Sequence, residues 1–283
     1  MSRAVTDAIT RRFIARPDVK AIQFGTGGYM PVRDRITNTN IPWTRADIDA
    51  HVAGTASYGH YLLNKDNLCK LFAFDIDLEP TNKETGIAGW LPNSGGPDSP
   101  WTDIFPIADL RSAWHQRNHP ARAFMKQQFR LMAHVLAKGI QDNLGIETAV
   151  AYSGNKGVHV YGFTGLIEAG MARDGANLVL EALGTFAEHR GSVFFKHTNT
   201  DPIDGYPNLS IEVFPKQVKL DGGDSYGNLM RLPLGRNLKA KDPAFFVDMT
   251  APMNELTPVD ALRALSPGYN LWQTAQEAAA VEG

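Results

Sequence analysis

The segment LFAFDIDLEP places Asp75 and Asp77 two residues apart in an apolar run. Strand side chains alternate, so both carboxylates leave the same face. Two neighbouring anions repel unless a cation lies between them, and hard divalent ions such as Mg²⁺ or Mn²⁺ favour such oxygen ligands. A strand end with two exposed acids carries the same short pattern. The segment AYSGNKGVHVYGF follows later. Its Ser153–Gly157 loop is small, polar and bracketed by glycine, which lets backbone N–H groups approach phosphate oxygens, and Lys156 adds a charge. His159 then shares a strand face with Tyr161 and Phe163, suited to a nucleoside triphosphate or to a histidine packed in a core. In NLSIEVFPKQ, Ile211 and Val213 alternate with Ser210, Glu212 and Phe214, so Glu212 faces away from the apolar side. A third carboxylate there would complete a two-metal site with Asp75 and Asp77, or it is an ordinary surface acid. In GNLMRLPLGRN, Asn228 and Arg231 interrupt an apolar strand. Arginine offers a planar fork for phosphate and asparagine a bond to a sugar hydroxyl or to backbone, although both also suit solvent.

These groups need elements to hold them. Residues 3–16 read as a helix, and AIQFGTGGYMPVR as a hairpin about Gly-Gly. Thr44 with Asp47 three residues on forms a loose capping box for RADIDAHVAG, which Gly54 stops. SYGHYLL and KLFAFDIDL read as strands. Residues 80–120, rich in Pro, Gly, Asn and Ser, read as a long insertion of functional or mobile character. ARAFMKQQFRLMAHVLAKGIQDNLG has apolar residues at helical spacing, from Phe124 and Phe129 to Leu144. ETAVAYSGNKGVHVYGF reads as strand, loop, strand. GMARDGANLVLEALGTFAEHR reads as a second helix, and 257–279 as helical with a break near SPGYN. This order suggests a split βαβ sheet with helices on one face and ligands on the other.

Composition narrows the classes. The chain has 283 residues, 43% of them hydrophobic, enough to bury a core. Its single cysteine, Cys69, rules out an internal disulfide and a multi-cysteine zinc site, and it fits a reducing compartment. His115 and His119, four apart in HQRNH, supply only two zinc ligands, and Pro120 follows. No signal peptide, membrane span or P-loop is readable, so a soluble cytoplasmic protein without its own helicase motor is expected. The net charge is −2, yet residues 111–130 carry a local +5 and residues 216–241 a local +4. An acidic centre flanked by basic segments gives that balance, as do solvated faces.

The order D-I-D, S-G-N-K-G-V-H, strand acid, N-L-M-R-L-P-L resembles the archaeo-eukaryotic primase superfamily, or primase-polymerases. The likeness is strongest to the primase domain of the TOTE conflict systems of bacteria and phages. HVAGTASYGHYLLNKDNLCKLFAFDID, AYSGNKGVHVYGF and EVFPKQ with YGNLMRLPLGRN carry it, across roughly residues 44–237. The resemblance implies an α+β fold in which an N-terminal α/β part (about 1–70) is fused to an RRM-like part (about 71–240). The active site would lie between them, and a C-terminal helical segment (241–283) would follow. It implies that Asp75, Asp77 and Glu212 hold Mg²⁺ or Mn²⁺, and that Ser153 and His159 contact the incoming triphosphate. Asn228 and Arg231 would steady the nucleotide, with Lys156, Gly157 and Lys216 beside it. Glu212 stands where many relatives carry Asp, and the cysteine-rich zinc module of some relatives is absent. The implied activity is template-directed nucleotide addition on single-stranded DNA from (d)NTPs, as primase or polymerase. The expected partner is a helicase on a separate chain, and the expected source a bacterium, phage or plasmid. Two rival classes remain: a non-catalytic RRM-like nucleic-acid-binding module and a metal-dependent nuclease.

Overall fold

The computed structural model describes residues 3–78, 114, 116, 118, 119, 121–184, 186–189, 192–195, 209–222, 225–252 and 255–266. The expected 80–120 insertion therefore falls almost wholly outside the described residues, as do His115 and residues 267–283.

The architecture is α+β, with two antiparallel sheets. The smaller sheet has the order β10-β3-β1-β2. Its strands are β1 (Ala21–Gln23), β2 (Tyr29–Pro31), β3 (Tyr58–Tyr61) and β10 (Leu229–Arg231). Helices α1 (Arg3–Phe13) and α2 (Arg45–Val52) accompany it. The capping box at α2 forms as its sequence suggests: the Thr44 side chain accepts from Asp47 N–H, and Asp47 answers on the Thr44 backbone. Lys20 Nζ adds a 2.5 Å bond to Asp47 Oδ2, which ties the start of α2 to the residue that leads into β1.

The larger sheet has the order β11-β5-β6-β4-β9-β8-β7. Its centre is built from β4 (Leu68–Leu78), β5 (Glu147–Tyr152), β6 (Gly157–Glu168) and β9 (Leu209–Phe214). Helix α3 (Ala121–Leu144) joins β4 to β5, and α4 (Ala169–Leu183) follows β6. Strands β7 (Phe186–His189), β8 (Ser192–Phe195) and β11 (Phe245–Phe246) extend the edges, and a short α5 (Ala261–Leu265) comes last. No helix among the described residues is long and apolar enough to cross a membrane.

The two faces of this sheet differ because β4 alternates. Phe72, Phe74 and Ile76 are fully buried, and Phe72 lies against Gly162 and Gly175 of the helix-covered side. Helix α3 buries Met125, Phe129, Met132, Leu136 and Ile140, a stripe at helical spacing. Helix α4 buries Ala172, Ala176 and Val179. The two helices approach closely at Gly139, where a Cβ would come within 2.9 Å of Leu183 and 3.0 Å of Val179. The opposite face is shared. Phe13 of α1 sets its edge on Tyr161 at 5.0 Å and on Phe163 at 5.5 Å between ring centroids. That covers the apolar half of the face and leaves the polar half open.

Three expectations are corrected. The second long helix does not run to residue 190: Gly184, at φ 60°, ends it in the left-handed conformation, and Phe186–His189 form β7. The segment 71–240 is not one sheet, since β10 returns to pair with β3, register Leu229↔Tyr61 to Arg231↔Gly59. The C-terminal segment is only partly helical, for β11 pairs with β5 before α5 begins.

Candidate active site

The register of the larger sheet decides which side chains meet. Asp75 pairs with His159 on β6 and with Glu212 on β9. Directly opposite residues point to the same face, so His159, Asp75 and Glu212 form one row across three strands. The next row on that face holds Gly157, Asp77 and Ser210. Tyr161, Ala73 and Phe214 form the row on the other side. The polar rows lie at the open end and the aromatic row under α1.

A cavity of about 420 Å³ opens over these rows, between the two sheets. Asp75, Asp77, Ser153, His159, Glu212, Lys216, Asn228 and Arg231 all line it. Its further lining includes Gln23, Gly27, Tyr29, Asn155, Asn237 and Lys239. Of the residues singled out from the sequence, Lys156 and Gly157 stand just behind this lining, beside Asp77. Lys156 Nζ is 3.2 Å from Asp77 Oδ2. A Cβ at Gly157 would meet Asp77 Oδ1 at 2.4 Å and the Ile76 carbonyl at 2.5 Å, so only glycine leaves room for that carboxylate.

The electrostatics follow from this crowding. Burial first, and then the charge of Asp75, push the Asp77 carboxyl up to about 6, while Lys156 opposes the rise. Glu212 is half exposed and is held 2.8 Å from Lys216 Nζ, whose ammonium also lies 5.0 Å over the Phe214 ring. His159 Nδ1 is 2.8 Å from the Tyr161 hydroxyl, and its Nε2 is 3.2 Å from Asp75 Oδ1. The second contact is not aligned as a hydrogen bond, and Asp75 Oδ1 has no hydrogen-bond partner although it is buried. Among the described residues, no three His, Cys, Asp or Glu side chains are arranged to hold a metal ion as they stand.

The Ser153–Gly157 loop is braced from behind. Ser153 N–H donates to the Gly157 carbonyl at 3.0 Å, closing the hairpin. The Asn155 carbonyl accepts from the Tyr152 hydroxyl at 2.8 Å. Gly154, at φ 74°, packs against the Asp242 carbonyl and Asn237, where any side chain would collide. Asn237 also accepts from Lys239 N–H at 3.0 Å, and Leu238 N–H donates to Gln23 Oε1 at 3.0 Å. The segment 237–239 therefore joins the far wall to the Ser153–Gly157 loop. Asn237 and Lys239 lay just beyond the LPLG stretch, and Gln23 and Tyr29 in a hairpin whose strands gave no chemical signal. Only the fold brings them here.

Arg231 turns part of its fork inward. It donates to the Leu232 carbonyl at 3.0 Å and the Leu234 carbonyl at 2.9 Å, holding the LPLG turn. His51 grips the same turn. Its Nδ1 accepts from Tyr58 N–H at 3.0 Å, so Nε2 carries the proton that reaches the Pro233 carbonyl at 3.1 Å. A Cβ on Gly235 would lie 2.1 Å from the His51 carbonyl. Of the HQRNH pair, only His119 lies among the described residues.

A two-sheet α+β fold thus gathers acids, a glycine loop and cations around one cleft. The particular family follows: residues 6–266 match the archaeo-eukaryotic primase domain of the TOTE conflict system, and the chain belongs to that family. Membership gives a domain of nucleotidyltransferase-like kind. No curated protein matches the chain.

Proposed function

We propose that the protein is a template-directed nucleotidyltransferase, a DNA primase or polymerase that adds nucleotides from (d)NTPs on single-stranded DNA. The observation that carries this reading is the row His159–Asp75–Glu212 at the floor of the cavity, with the Ser153–Gly157 loop at its side. The strand order β5-β6-β4-β9, with α3 and α4 as crossovers, supports an RRM-like catalytic part. The smaller sheet forms the opposite wall of the cleft.

The donor set fits hard divalent cations. Three carboxylates share one sheet face, and Asp75 Oδ1 is buried without a hydrogen bond. Asp75, Asp77 and Glu212 would hold Mg²⁺ or Mn²⁺, which supply Lewis acidity for the attacking hydroxyl and the leaving pyrophosphate. The chain supplies position and charge. Ser153 and the backbone of its loop face the triphosphate, His159 Nε2 reaches a phosphate oxygen, and Lys156 and Lys216 exchange their carboxylate partners for phosphate. Asn228, Arg231 and Lys239 line the wall where sugar and phosphate would rest. A helicase would act from a separate chain.

The test is a primer-free and a primed assay on mixed single-stranded DNA, with labelled dNTPs or NTPs and Mg²⁺ or Mn²⁺. Extension or de novo product supports the reading. Shortening of the strand would make the site a nuclease, and binding without turnover a degenerate module.

A further inference from the structure

A second cavity of about 420 Å³ lies on the smaller sheet, away from the carboxylates. It is lined by Asp18, Arg33, Thr39, Asn40, Lys65 and Tyr226, among others. Its volume falls in the range of small-ligand pockets, about 300–1,000 Å³. Lys65 Nζ is 3.2 Å from Asp18 Oδ2, and the buried Arg16 lies 3.5 Å from Asp18 Oδ1. Arg16 and Lys65 thus flank the Asp18 carboxylate and Arg33 lines the same cavity, three cations against one acid before Asp34 is counted. The neighbouring Asp34 is kept ionised by the bonds its carboxylate accepts from Ile36 N–H, Thr37 N–H and the Thr37 hydroxyl, which brings the local charge to +1.

This cavity is built rather than incidental. Arg33 donates to the Tyr226 hydroxyl at 2.7 Å, which donates on to Asn40 Oδ1 at 2.8 Å. The guanidinium of Arg33 is therefore oriented although it is exposed. Tyr226 packs on Tyr61 at 5.0 Å, and Arg16 lies 5.2 Å over its ring. The turn beside it is pinned by Asp34 and by Asn38 at φ 56°, and it holds up Ile36, which is 94% exposed. A fixed turn presenting an apolar tip next to a cationic pocket suits a ligand with both anionic and apolar parts, as a nucleic-acid strand has.

The pocket and the catalytic cleft are linked through strand β10 and the residues before it. Tyr226 is two residues before Asn228, and Tyr61 pairs with Leu229; both Asn228 and Leu229 line the first cavity. We propose that this pocket binds the phosphate backbone of single-stranded nucleic acid running from the catalytic cleft, with Arg33 and Lys65 on phosphate and Ile36 against a base. The inference rests on the proposed function and names where its template leaves the site.

The experiment measures anisotropy of a labelled mixed-sequence single-stranded DNA across a salt series for wild type, Arg33→Gln, Lys65→Gln and Ile36→Ser. Melting temperature and dNTP affinity are read on each. Losing one phosphate contact lowers the salt slope by about 0.7, which is about fivefold in affinity at 0.1 M salt. Each cation variant is expected to show that loss, Ile36→Ser a loss with the slope unchanged, and all three an unaltered dNTP affinity. Folded cation variants that match wild type in affinity and slope overturn the pocket while leaving the proposed function standing. Loss of dNTP affinity in place of strand affinity overturns it as well, in favour of a nucleotide site. A wild type that neither binds the strand nor incorporates nucleotide defeats the functional reading itself.

Discussion

Asp75 on β4 stands directly opposite Glu212 on β9, so two acids 137 positions apart in the chain share one face of one sheet. Neither can leave that face without a register slip that would also turn Ile76 and Ile211 out of the core. Burial of the apolar residues thus holds the acids in place. Asp75→Ala, Asp77→Ala and Glu212→Ala are each expected to abolish nucleotide incorporation and to melt within a few degrees of wild type. Incorporation at the wild-type rate by any of them, with metal present, would remove that residue from the site.

Gly157→Ala tests the seat of Asp77 without touching a charge. The new methyl meets a carboxylate oxygen and a carbonyl at well under van der Waals distance. Overpacking of this kind costs about 1–3 kcal/mol. Incorporation should fall at least tenfold, and the melting temperature should drop moderately. Gly165→Ala at the far end of β6 has open space but a φ of 72°, so it should cost stability alone.

His159 can be dissected by size. Alanine removes both ring contacts, and the Tyr161 hydroxyl loses its partner in a buried place, at about 1–3 kcal/mol. Asparagine can keep the bond to Tyr161 and lacks only the Nε2 end. His159→Asn should therefore melt close to wild type and weaken dNTP binding by about 10- to 150-fold, the worth of a hydrogen bond to a charged phosphate. Unchanged dNTP affinity in His159→Asn would refute the contact to the triphosphate.

Acid should unfold the metal-free protein through two histidines outside the row of acids. Burial holds His51 and His60 down to about 3, against 6.5 in an unfolded chain. Each takes up a proton on unfolding in that window. Their contribution is whole above pH 6.5 and falls as the pH drops, by up to about 1.4 kcal/mol per pH unit for each imidazole. Asp77 has the opposite sign: its folded value, about 6, lies above 3.8, so its ionisation costs stability as the pH rises through that range. Urea midpoints from pH 7.5 to pH 4.5 should decline, and Asp77→Asn should make the decline steeper. A shallower decline in that variant would contradict the assignment.

Much of this was readable along the chain, because local rules operate locally. The Thr44–Asp47 cap, the hairpin about Gly27 and the helical stripe of 121–144 each depend on neighbours within a few residues. Period-two alternation likewise put Asp75 and Asp77 on one strand face, turned Glu212 away from the apolar side of its strand, and set His159 on one face with Tyr161 and Phe163. Pairing across long separations is not local. Nothing in the sequence order says that β9 lies beside β4 rather than at an edge, that β10 leaves the large sheet to join β3, or that Gly184 separates α4 from another strand. Nor were Gln23 and Tyr29 marked by their neighbours, while Asn237 and Lys239, inside the GNLMRLPLGRN stretch and the basic 216–241 segment, had no spacing that set them apart. What brought them to one cleft was the packing of two apolar sheets about α1, which only the assembled tertiary structure decides.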